Sequence, residues 1–137
     1  MGGEEGWLDR LSLRSMTFWG YTGVHAEEQE RGQPFEVDLD LYLDLRQAAR
    51  SDDLAATVDY SALFGLVRQV VEGRRFQLVE ALAGAVAEAV LASASPVEAV
   101  TVRVRKPRAP LPGVFETVEV ELRRSRTGEG PSEVRRA

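Results

Sequence analysis

Four side chains in this sequence are of types that can move protons or grip a polar ligand. Lys106 continues the parity of Val100, Val102 and Val104, which puts it on the apolar side of a strand where that strand ends. Pro107 then restricts Lys106 to extended backbone. An ammonium with a fixed base and partial shielding from water suits general acid–base work. A lysine snorkelling out of a strand end is the ordinary alternative. Glu80 lies in the first turn of the helical stretch FQLVEALAGAVAEAV, residues 76–90. The helix dipole favours a carboxylate there by about 0.3–1 kcal/mol, and Gly84 and Glu88 share its face as in a plain polar stripe. As a binding group it would suit a ligand with two adjacent N–H donors, which a carboxylate accepts side by side. Tyr60 follows the cap position of a helix, and Glu28 sits with Glu27 and Glu30 in an acidic segment. Packing at a domain edge and simple solvation are their ordinary readings. His25 is a candidate proton carrier with no partner near it in sequence.

Composition removes other chemistries. The 137 residues include no cysteine and one histidine. Disulfide frameworks, zinc-thiolate sites, thiol nucleophiles and multi-histidine metal sites within one chain are therefore excluded. The net charge of −5 argues against a broad nucleic-acid footprint. No apolar run is long enough to span a membrane. MGGEEGW lacks the basic and apolar regions of a signal peptide, and the expected location is the cytoplasm.

The elements that must position these groups are legible in the periodicity. Leu11 and Leu13, then Met16 and Phe18 after a slip of one, predict a strand with a bulge over residues 8–19. GYTGVHAEEQERGQP reads as a loop. In FEVDLDLYLDL, residues 35–45, strict alternation predicts a long strand with one buried face and one acidic face. Leu63, Phe64, Leu66, Val67, Val70 and Val71 form a helical stripe between an Asp59 cap and Gly73. A second helix covers about 78–92, and alternating strands cover 98–106 and 114–122. Arg103 and Arg105 face outward and can pair with Glu119 and Glu121 across the ladder.

The resulting order, ββααββ, implies an α+β domain with two helices on one face of a four-stranded, mostly antiparallel sheet. The domain is expected over residues 8–123, with an N-terminal tail at 1–7. Beyond it, RRSRTGEGPSEVRRA lacks periodicity, so 124–137 is expected to be a flexible C-terminal tail. Exposed strand edges invite copies to join, so a homo-oligomer is expected.

In register with this order run G-Y-x-G-V at 20–24, E-x-x-x-G-Q at 28–33, FEVDLDLYLDL, SDDLAATVDY at 51–60, FQLVEALA at 76–83 and VRKPRAPLPG at 104–113. Together they resemble the dihydroneopterin aldolases of folate biosynthesis. The resemblance implies the tunnelling fold, in which sheets join edge to edge into a barrel-shaped ring. It further implies a tetramer or octamer with active sites between subunits and the acidic sheet face toward the barrel interior. It implies a pterin substrate anchored by Glu80 and the backbone of Val79, and Tyr60 packing on a substrate held mainly by the next subunit. Glu28 would lie near the substrate hydroxyls, and Lys106 would be the acid/base residue. The implied reaction is retro-aldol cleavage of 7,8-dihydroneopterin, with no cofactor, metal ion or Schiff base. Thr22 stands where many members have histidine, and Asp59 where asparagine or histidine is common. An epimerase acting on dihydroneopterin or its triphosphate, using Arg103, Arg105 or Arg108, is the enzymatic alternative. A non-catalytic pterin-binding module is the other.

Overall fold

The structure, a computed structural model, describes residues 7–128. Its central strand is β2, Gln33–Leu43, which pairs antiparallel with β1, Asp9–Gly20, on one side and β3, Ala99–Lys106, on the other. β4, Val118–Ser125, completes an antiparallel sheet of order β1-β2-β3-β4. The alternation read from FEVDLDLYLDL is realised: Phe35, Val37, Leu39, Leu41 and Leu43 are wholly buried. Each such side chain contributes about 1.5–3 kcal/mol by leaving water. The strand begins and ends two residues earlier than the pattern suggested, because Asp44 and Leu45 turn the chain into α2, Arg46–Ser51.

The buried face is covered by α3, Tyr60–Gly73, over β1, and by α4, Val79–Ser93, over β3 and β4. The Asp59 carboxylate caps α3 by accepting the Ser61 N–H at 3.0 Å. α4 buries small residues, Ala83, Ala85 and Ala87, with Leu82, Val86 and Val90, which permits close approach to the sheet. The ββααββ skeleton therefore stands, with additions. A short α1, Ala26–Arg31, occupies the segment read as loop; its six residues, polar apart from Ala26, carry no apolar period to betray it. α2 and a single 3₁₀ turn, Leu54–Ala56, lie between β2 and α3. β4 starts four residues later than expected and runs on to Ser125. Pro107, Pro110 and Pro112 hold the chain off the ladder, so pairing resumes only at Lys106 opposite Val118. The expected fraying from Arg123 is also corrected. Arg123 to Ser125 are strand, and the Arg126 side chain donates to the carbonyls of Val97 and Ala94 at 2.7 and 2.8 Å. Most of both expected tails, residues 1–6 and 129–137, lies outside the described residues.

The outer face of the sheet is ionic but closed. Asp38 and Asp40 are only 1% exposed because Arg103 and Arg105 lie across them. Arg105 makes a bidentate pair with Asp38, both contacts 2.8 Å, and reaches Glu36 at 2.9 Å and Glu119 at 3.4 Å. Arg103 joins Asp40 and Glu121, each at 2.8 Å. The cross-ladder pairs expected from the sequence thus form within a larger network. Asp38 also accepts the Ser15 N–H at 2.7 Å, where Ser15 takes a left-handed φ of 57° and the β1–β2 register shifts. That bulge moves the inward parity of β1 from Leu11 and Leu13 to Met16, Phe18 and Gly20.

The Arg105 guanidinium beside it, opposed by burial and aided by the Ser15 N–H, lowers the Asp38 pKa to about 2 from 3.8. Its folded pKa lies below the unfolded value, so its stabilisation is complete above about pH 4 and decays as pH falls toward 2. The difference is worth about 2 kcal/mol. Asp38→Asn should therefore lower stability by at least that order at neutral pH. In urea unfolding at stepwise lower pH, the gap from wild type should narrow below about pH 4.

Candidate active site

Lys106 ends β3 on the helix-covered side of the sheet, as its parity required, and is only 7% exposed. Its ammonium meets the Glu28 carboxylate, Nζ to Oε2, at 2.5 Å. Glu28 is 9% exposed and lies in α1. The Gln33 amide donates to Oε2 at 2.9 Å, and the His25 N–H donates to Oε1 at 3.3 Å. Burial pushes the Glu28 pKa up, but hydrogen bonds from Lys106, Gln33 and the His25 backbone outweigh it and hold the carboxyl below its usual range. Glu28 is therefore an anion at neutral pH. An open cleft of about 480 Å³, lined by His25, Ala26, Glu27, Glu28 and Pro110, leads to it.

The loop before α1 is shaped to admit this carboxylate. A methyl at Gly23 would lie 2.5 Å from Glu28 Cδ and Oε1, so only glycine leaves the space. The Gly23 N–H donates to the Phe76 carbonyl at 3.0 Å, and its carbonyl accepts Gln29 Nε2 at 2.8 Å. Arg75 stacks over the Tyr21 ring at 4.7 Å and donates to the Gln29 carbonyl at 3.0 Å. These bonds tie the loop to the turn leading into α4, so Val79 and Glu80 lie at the same end of the sheet as Glu28 and Lys106. Val79 is buried, whereas Glu80 is exposed and makes no hydrogen bond or ion pair among the described residues. Its carboxylate is free to accept from a ligand.

Tyr60 is elsewhere. The far end of α3 sits beside Lys106's end of the sheet: a Cβ on Gly20 would meet Phe35 at 3.0 Å and Val71 at 3.1 Å. At about 1.5 Å per residue, Tyr60 lies roughly 16 Å along the axis from Val71. Its neighbours Thr57 to Asp59 border a cavity with Ser93 to Pro96, near the opposite end of β2, where the Glu98 N–H meets the Tyr42 carbonyl at 2.8 Å. Tyr60 is 60% exposed there. One chain thus brings Glu28, Lys106, Val79 and Glu80 to one end and presents Tyr60 at the other. Arg103 and Arg105 are bound to carboxylates on the opposite face of the sheet from Lys106, so neither is available to a phosphate chain beside it.

Sequence reasoning gave Gln33 no role. Its parity with Phe35, and Gly20 directly across the ladder, were the signals that it points inward beside Glu28.

A four-stranded antiparallel sheet with two long helices on one face, and a buried acid–amine pair at a strand end beside a helix start, fit the tunnelling-fold enzyme class that the sequence motifs resemble. The family model for dihydroneopterin aldolase matches residues 11–123. A dihydroneopterin aldolase of Streptococcus pyogenes serotype M6 is 44% identical over 119 residues, covering 87% of this chain and all of that protein. The crystal structure of Escherichia coli dihydroneopterin aldolase in complex with neopterin superposes with a TM-score of 0.79 at 32% identity, covering 86% of this chain and 100% of that one. A dihydroneopterin aldolase from Burkholderia bound to guanine gives 0.72 at 29% identity, covering 87% and 92%. The chain belongs to the dihydroneopterin aldolase family.

Gly23→Ala should displace the Glu28 carboxylate while leaving the fold intact. We expect a loss of about 1–3 kcal/mol in stability from overpacking. In thermal melts with parallel activity assays, turnover should fall by more than the lost folded fraction explains.

Proposed function

We propose that this protein cleaves the side-chain carbon–carbon bond of 7,8-dihydroneopterin, releasing glycolaldehyde and 6-hydroxymethyl-7,8-dihydropterin for folate biosynthesis. The observation that carries this reading is the buried Glu28–Lys106 pair at the end of β3 in a chain of this family. The substrate supplies its own electron acceptor, the C6=N5 imine. As the side-chain hydroxyl loses its proton and becomes the aldehyde, the electrons of the breaking bond move into that imine and N5 takes up a proton. The resulting enamine is protonated on carbon while N5 gives its proton back. Neither a metal ion nor a Schiff base is required, only groups that accept and return protons.

In this reading Lys106 carries the proton traffic near N5, and Glu28 holds it in place and faces the substrate hydroxyls. Glu80, with the backbone of Val79, anchors the 2-amino group and adjacent ring N–H of the pterin. Neopterin and guanine, the ligands of the two solved relatives, both carry such an edge. Hydrogen bonds to a charged group are worth about 1.5–3 kcal/mol each.

Tyr60 completes the site from a neighbouring copy. What supports this is its separation from Lys106 within one chain, together with the open edges of β1 and β4. The reading thus includes a homo-oligomer, a tetramer or octamer, with its sites between subunits, and a cytoplasmic location.

With purified protein and 7,8-dihydroneopterin in chelator, glycolaldehyde and the pterin product should appear in equal amounts. Lys106→Ala should lower turnover by about 10²-fold or more while keeping pterin binding. Binding without product in the wild type would instead favour a non-catalytic module. Co-refolding inactive Lys106→Ala with inactive Tyr60→Phe should restore roughly a quarter of the wild-type activity, because random assortment of a shared interface rebuilds intact sites. No recovery would place both residues in one subunit's site.

A further inference from the structure

We propose that Thr22 and Gln33 together hold one ordered water beside the Glu28–Lys106 pair, and that Thr22 is thereby a positioning residue for proton transfer. The inference rests on the cleavage reaction proposed above. Thr22 is wholly buried, yet its hydroxyl has no hydrogen-bond partner among the described residues. Gln33 is buried too, and its Oε1 is likewise unpartnered. The orientation of that amide follows from chemistry. The ionised Glu28 carboxylate only accepts, so Gln33 Nε2 must face it, as it does at 2.9 Å, and Oε1 must face away.

Strand register puts the two orphans on neighbouring segments at the same end of the sheet. Gln33 pairs with Gly20 across the β1–β2 ladder, and Gly20 faces inward onto Phe35 and Val71. Thr22 follows two residues on and precedes Gly23, which abuts the Glu28 carboxylate. A buried polar group left unpaired costs about 1–3 kcal/mol. A single buried water typically makes about three hydrogen bonds to such groups. Here it would accept from or donate to the Thr22 hydroxyl, donate to Gln33 Oε1, and keep one contact for Lys106.

That contact gives the water work in the second half of the reaction. The Lys106 ammonium passes a proton to the water as the water gives one of its own to the enamine carbon. The proton on N5 then returns to the amine, so water and lysine end as they began. Thr22 touches neither substrate nor reacting atoms in this scheme; it sets where the water stands.

The test uses the full-length assembled protein with Thr22→Val, which keeps shape and removes the hydroxyl, and Thr22→Ser, which keeps the hydroxyl. Thr22→Val should lose about tenfold in kcat with KM changed less than about twofold, and Thr22→Ser should stay within about twofold of wild type on both. A high-resolution crystal structure of the wild type should show a water within hydrogen-bond distance of Thr22 Oγ1 and Gln33 Oε1, absent from Thr22→Val. Wild-type kcat in Thr22→Val, equal impairment of both variants, or no water at that position would overturn the proposal. If the wild type releases no glycolaldehyde, the activity reading falls, and the crystallographic water alone then upholds or overturns this site.

Discussion

A carboxylate and an ammonium that share a nearly dry site must find each other or the fold loses several kcal/mol. Removing one member of such a pair typically costs about 3–5 kcal/mol. Glu28 and Lys106 are in that position. Their segments are far apart in sequence, one on the short α1 and the other at the end of β3. Much of the surrounding detail follows from closing that gap. Gly23 leaves room for the carboxylate, and the Gln33 amide and His25 N–H occupy its remaining lone pairs. Arg75, Tyr21 and Gln29 brace the loop from behind. Pro107 ends the strand where the amine is needed.

The sheet keeps two electrostatic worlds apart by alternation alone. Arg105 and Lys106 are chain neighbours, yet one is clamped by Asp38, Glu36 and Glu119 outside and the other faces Glu28 inside. Every outward carboxylate near Arg105 is engaged by it, so the outer face offers Lys106 no competing partner. The same outer network reaches the site a second way. Asp38 holds the Ser15 bulge, the bulge turns Phe18 and Gly20 inward, and Gly20 leads into the loop that carries Thr22 and Gly23.

The sequence made some of this plain and hid the rest for physical reasons. FEVDLDLYLDL spelled out β2 because a period of two over so many residues has one reading. The same parity aimed Lys106 inward, and the α3 stripe and its Asp59 cap were equally clear. Several features were not visible. α1 is too short and too polar for a periodic signal, and the start of β4 depends on where three prolines release the chain. Asp38 and Asp40 were legible as an acidic face but not as buried, because their cover comes from arginines on another strand. The Glu28–Lys106 contact itself was beyond local reading; the family resemblance put both residues in one site without pairing them. Tyr60 was legible as a residue but not as a location, since its distance from Lys106 exists only in three dimensions.

The most direct measurement is a crystal structure of the assembled protein with neopterin bound. The account predicts the bicycle at the end of β3, its amino edge on the Glu80 carboxylate and its side chain toward Lys106 and Glu28, with a tyrosine from a neighbouring copy closing over it. A ligand bound away from Lys106, or a Lys106–Glu28 pair sealed beneath protein with no path to the ligand, would contradict it.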